Sequence, residues 1–223
     1  AMVMADAEPG EILGEVGSAS WLDRTRQGYV DMTRAVRSPG STLKPFIYGL
    51  AFEDGRIAQQ TVIEDRPANF AGYRPRNFDM DYQGDISIRA ALQMSVNVPA
   101  IRLLDAVGPH RLMARFREAG IDAKMPSGKV AGLAIGLGGI GLTLRDLVQL
   151  YTGLANGGQA VRLVNRPRAD GETARRAQIL PAASAWQIAD ILSGVTPPKG
   201  ATRHGIAYKT GTSYGYRDAW AIG

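Results

Sequence analysis

The chain begins and ends on apolar, strand-like segments and is helical between them, which restricts it to folds that layer strands with helices. Residues 1–17 read as a hairpin: AMVMA, a turn at Asp6-Ala7-Glu8-Pro9-Gly10, then EILGEVG. The segment IAYKTGTSYGYRDAWAIG reads as a second hairpin, spanning about 205–223 and turning at Tyr214-Gly215. An α+β class follows, with 223 residues and 45% hydrophobic side chains, enough for one large domain with a proper core. Boundaries usually fall in exposed linkers rather than in strands, so 1–223 is expected to be a single domain cut from a longer protein and truncated at its C-terminal end.

The middle is built of helices with readable ends. Residues 18–40 are polar and loop-like, and a helix is expected from about Ser41. In it Leu43, Phe46, Ile47, Leu50 and Ala51 recur at helical spacing on one face, Pro45 falls near the first turn, and Gly55 ends it. Residues 56–85, rich in Pro, Asn, Asp and Tyr, read as loops. Helices are expected over 87–94 with Ser87 as cap, from Pro99 to Val107, and over 109–119 with Gly120 as stop. A further helix over 143–155 has Thr143 as cap with Asp146 three residues on, and another covers 181–194.

Composition excludes several kinds of chemistry. There is no cysteine, hence no disulfide and no thiolate metal site. His110 and His204 stand alone and far apart, so no metal site is expected, and nothing implies a cofactor. The net charge of +5 is mostly arginine. A basic surface can attract anionic polymers, but an arginine-rich coding bias accounts for it as simply. No basic run alternates with aromatics, so nucleic acid is not expected as a partner. No stretch is long and apolar enough to span a membrane.

Three short motifs carry chemistry: Ser41-Thr42-Leu43-Lys44, Ser95-Val96-Asn97 and Lys209-Thr210-Gly211-Thr212. From composition, chance gives roughly 0.2 Ser-x-x-Lys, roughly 0.2 Ser-x-Asn and roughly 0.03 Lys-Thr-Gly. Each occurs once in this order, a joint accident on the order of one in a thousand. Singly, each has a bland reading: a serine near a helix start with an exposed lysine, a pair of helix-capping side chains, an ordinary polar strand. Together they describe acyl transfer through a serine ester.

On a helix, Lys44 lies on the face of Ser41 and can reach its hydroxyl. Serine needs a base to become a nucleophile. A lysine serves only if burial or a second cation, here Lys209, depresses its pKa. At a helix start the Ser41 N–H has no internal partner and can face an oxyanion. The break between two helices would present Ser95 as a proton relay and Asn97 as a clamp for a substrate amide, with Val96 turned into the core. On a strand, Lys209 and Gly211 share one face and Thr210 and Thr212 the other. Gly211 would let a substrate backbone approach, the Thr212 N–H would be the second oxyanion donor, and Lys209 with the hydroxyls of Thr210 and Thr212 would hold a substrate carboxylate.

The run Gly136-Leu137-Gly138-Gly139-Ile140-Gly141 also satisfies G-x-G-x-x-G. A dinucleotide site wants an acidic residue about 20 positions on, and residues 161–168 hold none. A close approach to a packed helix is the better reading. Between Asn97 and Lys209 the only glutamates are Glu118 and Glu172, neither in a Glu-x-x-x-Asn context.

The segments RSPGSTLKPFIYGLAFEDG, YRPRN through ALQMSVNVPAI, and YKTGTSYGYRDAWAIG resemble the transpeptidase domain of class A bifunctional peptidoglycan synthases, most of all the one-C subgroup. The resemblance covers nearly the whole chain. It implies a penicillin-binding protein/β-lactamase-like fold, an antiparallel sheet packed with helices plus an all-helical subdomain. It implies a serine DD-transpeptidase in which Ser41 attacks the D-Ala-D-Ala bond of a peptidoglycan stem peptide and passes the acyl group to a neighbouring amine. Lys44 would be the base, Ser95 and Asn97 the relay and clamp, and Lys209 to Thr212 the carboxylate site, with β-lactams acylating Ser41. Full-length relatives add a membrane anchor and a glycosyltransferase domain, which implies a periplasmic setting on the outer face of the inner membrane. Three other readings share such motifs: a serine β-lactamase, a β-lactam sensor or inactive binding domain, and a glutaminase-like amidohydrolase.

Overall fold

Strands β1 (Met2–Ala5) and β2 (Ile12–Val16) form the first hairpin, closed by the Asp6 N–H on the Glu11 carbonyl. They belong to a computed structural model that describes residues 1–126, 128, 130–198, 200–202 and 205–223. His204 lies outside the described residues. His110 is exposed in the first turn of a helix.

The chain enters its first helix through a tighter turn than expected. Residues Gly40–Leu43 form a 3-10 turn, and the α-helix α1 spans Lys44–Glu53. Pro45 is the cause. It has no N–H to return to the Ser41 carbonyl four residues back, so that carbonyl takes the Lys44 N–H instead. Helix α1 is buried on every side from Lys44 to Phe52, not on one face, which makes it the central rod of the core. Phe46 meets Phe116 and Tyr151 edge-on, at 6.1 and 5.5 Å between ring centres.

Residues 56–85 are not all loop. Strands β3 (Val62–Asp65) and β4 (Gly84–Ser87) pair antiparallel across an 18-residue excursion between them. Each is only four residues long, too short for alternation to show. Helix α2 (Ile88–Gln93) follows, with the Ser87 hydroxyl accepting the Ala90 N–H as expected. Helix α3 (Asn97–Val107) starts two residues before Pro99, and α4 (Pro109–Glu118) ends at Gly120. Helix α5 (Leu144–Ala155) carries the expected capping box of Thr143 and Asp146. Strands β5 (Gln159–Val161) and β6 (Arg176–Gln178) form a short pair that the sequence did not signal. Helix α6 (Ala182–Ser193) and the hairpin β7 (Lys209–Thr212) and β8 (Ala219–Ile222) complete the α+β fold.

The antiparallel strands stand as four separate two-stranded pairs among the described residues, with helices packed between them. Helix α5 supports both terminal hairpins, touching β1 and β8, while α3 and α6 flank α1. The glycine-rich run is a packing element. A Cβ on Gly136 would sit 2.8 Å from Leu104 and 3.1 Å from Ile101 of α3, so glycine lets this segment lie directly on the helix. Among the described residues no helix is long and apolar enough to cross a membrane.

Candidate active site

Ser41 sits in a turn clamped by three elements. The Tyr151 hydroxyl of α5 donates to the Thr42 carbonyl at 2.8 Å. Trp220 Nε1 of β8 donates to the Ser38 carbonyl at 2.8 Å, and the Ser38 hydroxyl donates to the Gly138 carbonyl at 2.8 Å. The turn is therefore rigid while Ser41 is only half-buried. Neither its hydroxyl nor its N–H has a hydrogen-bond partner among the described residues, which leaves one free for an electrophile and the other for an oxyanion.

Lys44, one turn on, is fully buried. Its Nζ does not bond to Ser41, as helical spacing suggested. It donates to the Ser95 carbonyl at 2.5 Å, to Asn97 Oδ1 at 2.6 Å and to Ser95 Oγ at 3.3 Å. A buried ammonium needs all its donors satisfied, and the Ser-x-Asn segment supplies three acceptors.

Ser95 holds that position by a strained backbone. It has φ +59°, the left-handed conformation that costs a non-glycine residue about 1–2 kcal/mol. The Ser95 N–H bonds to the Leu92 carbonyl and the Val96 N–H to the Ala91 carbonyl, the pattern that ends a helix on a left-handed residue. Glycine is usual there. Serine in its place turns a hydroxyl into the space between two lysines, and Val96 points into the core as expected.

Lys209 reaches the same hydroxyl from the opposite side. Its Nζ donates to Ser95 Oγ at 2.7 Å and to the Thr210 carbonyl at 2.9 Å. Burial pushes Lys209 down to about 8. Burial, and then the positive charge of Lys209, push Lys44 well below the usual lysine value, against a smaller opposing pull from Asp65. Full burial and the charge of Lys209 thus both favour loss of a proton from Lys44. With two donors on its oxygen, Ser95 retains its own proton to donate, as a relay requires.

Strand β7 alternates as expected: Lys209 and Gly211 are buried, Thr210 and Thr212 exposed. The partner of Gly211 is different from the one expected. A Cβ there would meet the Pro39 carbonyl at 2.6 Å and Thr42 Cγ2 at 2.6 Å. The missing side chain makes room for the protein's own Ser41 turn, not for a substrate backbone. Gly40 answers from the other side, where a Cβ would lie 2.9 Å from the Thr212 N. This mutual approach brings the backbone of Thr212 beside Ser41. Gly211→Ala is expected to destabilise the fold by about 1–3 kcal/mol, since overpacking forces the two backbones apart. It should also slow acylation of Ser41. A melting curve and a labelling time course on the same sample check both effects.

Two residues outside the three motifs complete the site. Asp65 and Asn77 are buried, at 0% and 5% exposure. Asn77 Nδ2 donates to both Asp65 oxygens at 2.9 and 2.8 Å, while Asn77 Oδ1 accepts the Asn97 N–H at 2.9 Å. Asn97 Nδ2 donates to the Arg76 carbonyl at 2.7 Å, which leaves its Oδ1 facing Lys44. Helix α3 has no side-chain cap of its own. Asn77 caps it from a distant loop, which explains its start at Asn97.

The family model described as the penicillin binding protein transpeptidase domain matches residues 1–220. The chain belongs to this family. Penicillin-binding protein 1C of Escherichia coli K12 is 40% identical over 227 residues, covering all of this chain and 29% of the relative. Penicillin-binding protein 1A of Neisseria gonorrhoeae is 31% identical over 254 residues, covering all of this chain and 30% of the relative. The chain thus spans less than a third of the length of these curated relatives. Among solved structures, a peptidoglycan glycosyltransferase from Burkholderia ambifaria superposes with a TM-score of 0.77 at 19% identity, over 96% of this chain and 72% of that one. The transpeptidase domain of penicillin-binding protein 3 from Burkholderia pseudomallei gives 0.76 at 19% identity, over 95% and 68%. These two likenesses show the penicillin-binding fold.

Proposed function

We propose that this transpeptidase domain is a serine acyltransferase that cross-links peptidoglycan stem peptides through an ester on Ser41. The observation that carries the reading is the convergence of Lys44 and Lys209 on Ser95, with Asn97 accepting from Lys44, beside a rigid turn that leaves the Ser41 hydroxyl and N–H without a hydrogen-bond partner among the described residues. Neutral Lys44 accepts the Ser41 proton as Ser41 Oγ attacks the carbonyl of a terminal D-Ala-D-Ala bond. The oxyanion forms against the N–H groups of Ser41 and Thr212. Ser95 passes a proton to the departing D-Ala amine, and the carbonyl returns as the ester. An amine of a second stem peptide then attacks the ester, the proton path runs in reverse, and Ser41 is restored. Charged Lys209, with Thr210 and Thr212, holds the substrate carboxylate, and Asn97 holds its amide.

β-Lactams present the same carbonyl and carboxylate and acylate Ser41. The relatives' greater length leaves room in a full protein for the glycosyltransferase domain and membrane anchor that the family resemblance implies, with this domain acting in the periplasm. Intact-mass measurement after exposure to benzylpenicillin, followed by peptide mapping, tests the reading. One penicilloyl group on Ser41 is expected. An adduct on Ser38 or Ser95, or none, defeats it.

The acylation rate is expected to be bell-shaped in pH. It rises as Lys44 loses its proton, at a pH well below the ordinary lysine value. It falls above about pH 8, where Lys209 loses the charge that holds the carboxylate. Stopped-flow acylation rates between pH 5 and 10 check it, and a rate that climbs without a maximum through pH 10 would remove Lys209 from its role.

A further inference from the structure

We infer that Asp65, acting through Asn77, is a positioning residue of the two-lysine site: it fixes the Ser-x-Asn segment against Lys44 and supplies the buried negative charge that lets Lys44 and Lys209 share a single proton. The inference rests on the Ser41 reading and deepens it.

Asp65 ends β3 with its carboxylate fully enclosed. Its oxygens accept from Asn77 Nδ2 and, at 2.7 Å, from the Gln83 N–H. Among the described residues no basic side chain forms an ion pair with it. A buried carboxylate without an ion-pair partner is costly, and proteins retain one only where other charges or hydrogen bonds compensate.

Here the compensation runs through one carboxamide. Asn77 Oδ1 accepts from the Asn97 N–H and, at 3.4 Å, from the Val98 N–H, while Nδ2 donates to Asp65 and to the Asp81 carbonyl at 2.8 Å. Only one orientation of the amide fits, with oxygen toward the helix N–H groups and nitrogen toward the carboxylate. Aspartate caps helices as well as asparagine does, yet at 77 it would set a second carboxylate against Asp65. The same loop holds the Asn97 side chain through the Arg76 carbonyl, so its Oδ1 can face only Lys44.

The charge count supports the second half of the inference. Two charged groups act on Lys44, Lys209 from β7 and Asp65 from β3 beyond the two asparagines, and the ionisable Tyr48 lies one turn along α1. Tyr48 is fully buried and stays a neutral phenol, because burial and the Asp65 charge both oppose its ionisation. Both lysine Nζ atoms lie on Ser95 Oγ. With Asp65 ionised, the enclosed site is neutral when one lysine is charged and the other is not. That is the state the proposed reaction needs, with a base at Lys44 and a cation at Lys209. Asp65 pulls Lys44 toward its charged form, opposing burial and Lys209.

The test is the pH profile of Ser41 acylation by benzylpenicillin. In Asp65→Asn the opposing pull is lost, so Lys44 deprotonates more readily and the acidic limb should move down by roughly one pH unit. Asp65→Glu keeps the charge and should leave the limb in place, even if the melting temperature falls. A lower melting temperature in Asp65→Asn with an unmoved limb overturns the inference, as does an equal shift in Asp65→Glu. Should Asp65→Asn not fold, lysine side-chain NMR of the unaltered protein decides. At pH 7.5 one of the two buried lysines should be charged and the other neutral. Two charged or two neutral lysines overturn it. If the unaltered protein is not acylated on Ser41 the transpeptidase reading fails, and the NMR proton count still tests the role of Asp65.

Discussion

Arginine in place of Lys44 is expected to stop acylation of Ser41, a loss of about a thousandfold or more, within the range ascribed to a general base. The substitution preserves charge and removes only the ability to be neutral, because guanidinium does not deprotonate in this pH range. Lys44 is suited to lose its proton: it is fully buried, beside a second cation, and its pKa is well below the ordinary value. Lys209→Arg should behave differently. Its proposed role is to hold a substrate carboxylate by charge, and arginine keeps that charge in place of the ammonium that bonds to Ser95 Oγ and the Thr210 carbonyl. Partial activity, within about a hundredfold of the unaltered protein, is expected there. The time course of labelled penicillin incorporation measures both, with a melting curve to show that each variant is folded. Equal tolerance of arginine at the two positions would contradict the division of roles.

The side chains at the centre of the site were legible in the sequence because each motif packs its chemistry into three or four consecutive residues. Ser95 and Asn97 fall in the break between α2 and α3 with Val96 inward, and Lys209 turns in while Thr210 turns out. The capping box at Thr143 was legible for the same reason. Relationships across the chain were not. Asp65, Asn77 and Asn97 meet only after β3 pairs with β4, and neither strand is long enough to announce itself. The strand context of Gly211 marks it as a position needing no side chain, but only the fold shows that its neighbours are Pro39 and Thr42. Helix α1 shows an apolar stripe in sequence, yet neighbours enclose it all round, so its polar Lys44 is buried with its hydrophobic residues. That burial gives the lysine its chemistry, and no local pattern encodes it.

A penicilloyl ester on Ser41 should persist for many minutes or longer, with negligible turnover of the β-lactam. Hydrolysis needs a base that activates water at the ester, and class A β-lactamases use a glutamate for that step. The two glutamates between Asn97 and Lys209 are engaged elsewhere. Glu118 closes α4, half-exposed and 3.4 Å from Arg115. Glu172 is held by Arg166 and Arg168 in an exposed loop, and hydrogen bonds from Arg166 and the Ala169 N–H lower it to about 2, a poor base. The remaining carboxylate near the lysines, Asp65, is sealed off, its oxygens occupied by Asn77 and Gln83 and the two asparagines standing between it and Lys44. Between Ser95 and Asn97 stands Val96, buried and without an ionisable group. Among the described residues no carboxylate is therefore placed to activate water against an acyl group on Ser41, while an incoming amine is a stronger nucleophile than water and can give its proton to Lys44. Following penicillin absorbance with enzyme at comparable concentration should show one equivalent consumed and then a plateau. Sustained turnover, many equivalents per enzyme, would instead place this site among hydrolases and require a water-activating group that these carboxylates cannot be.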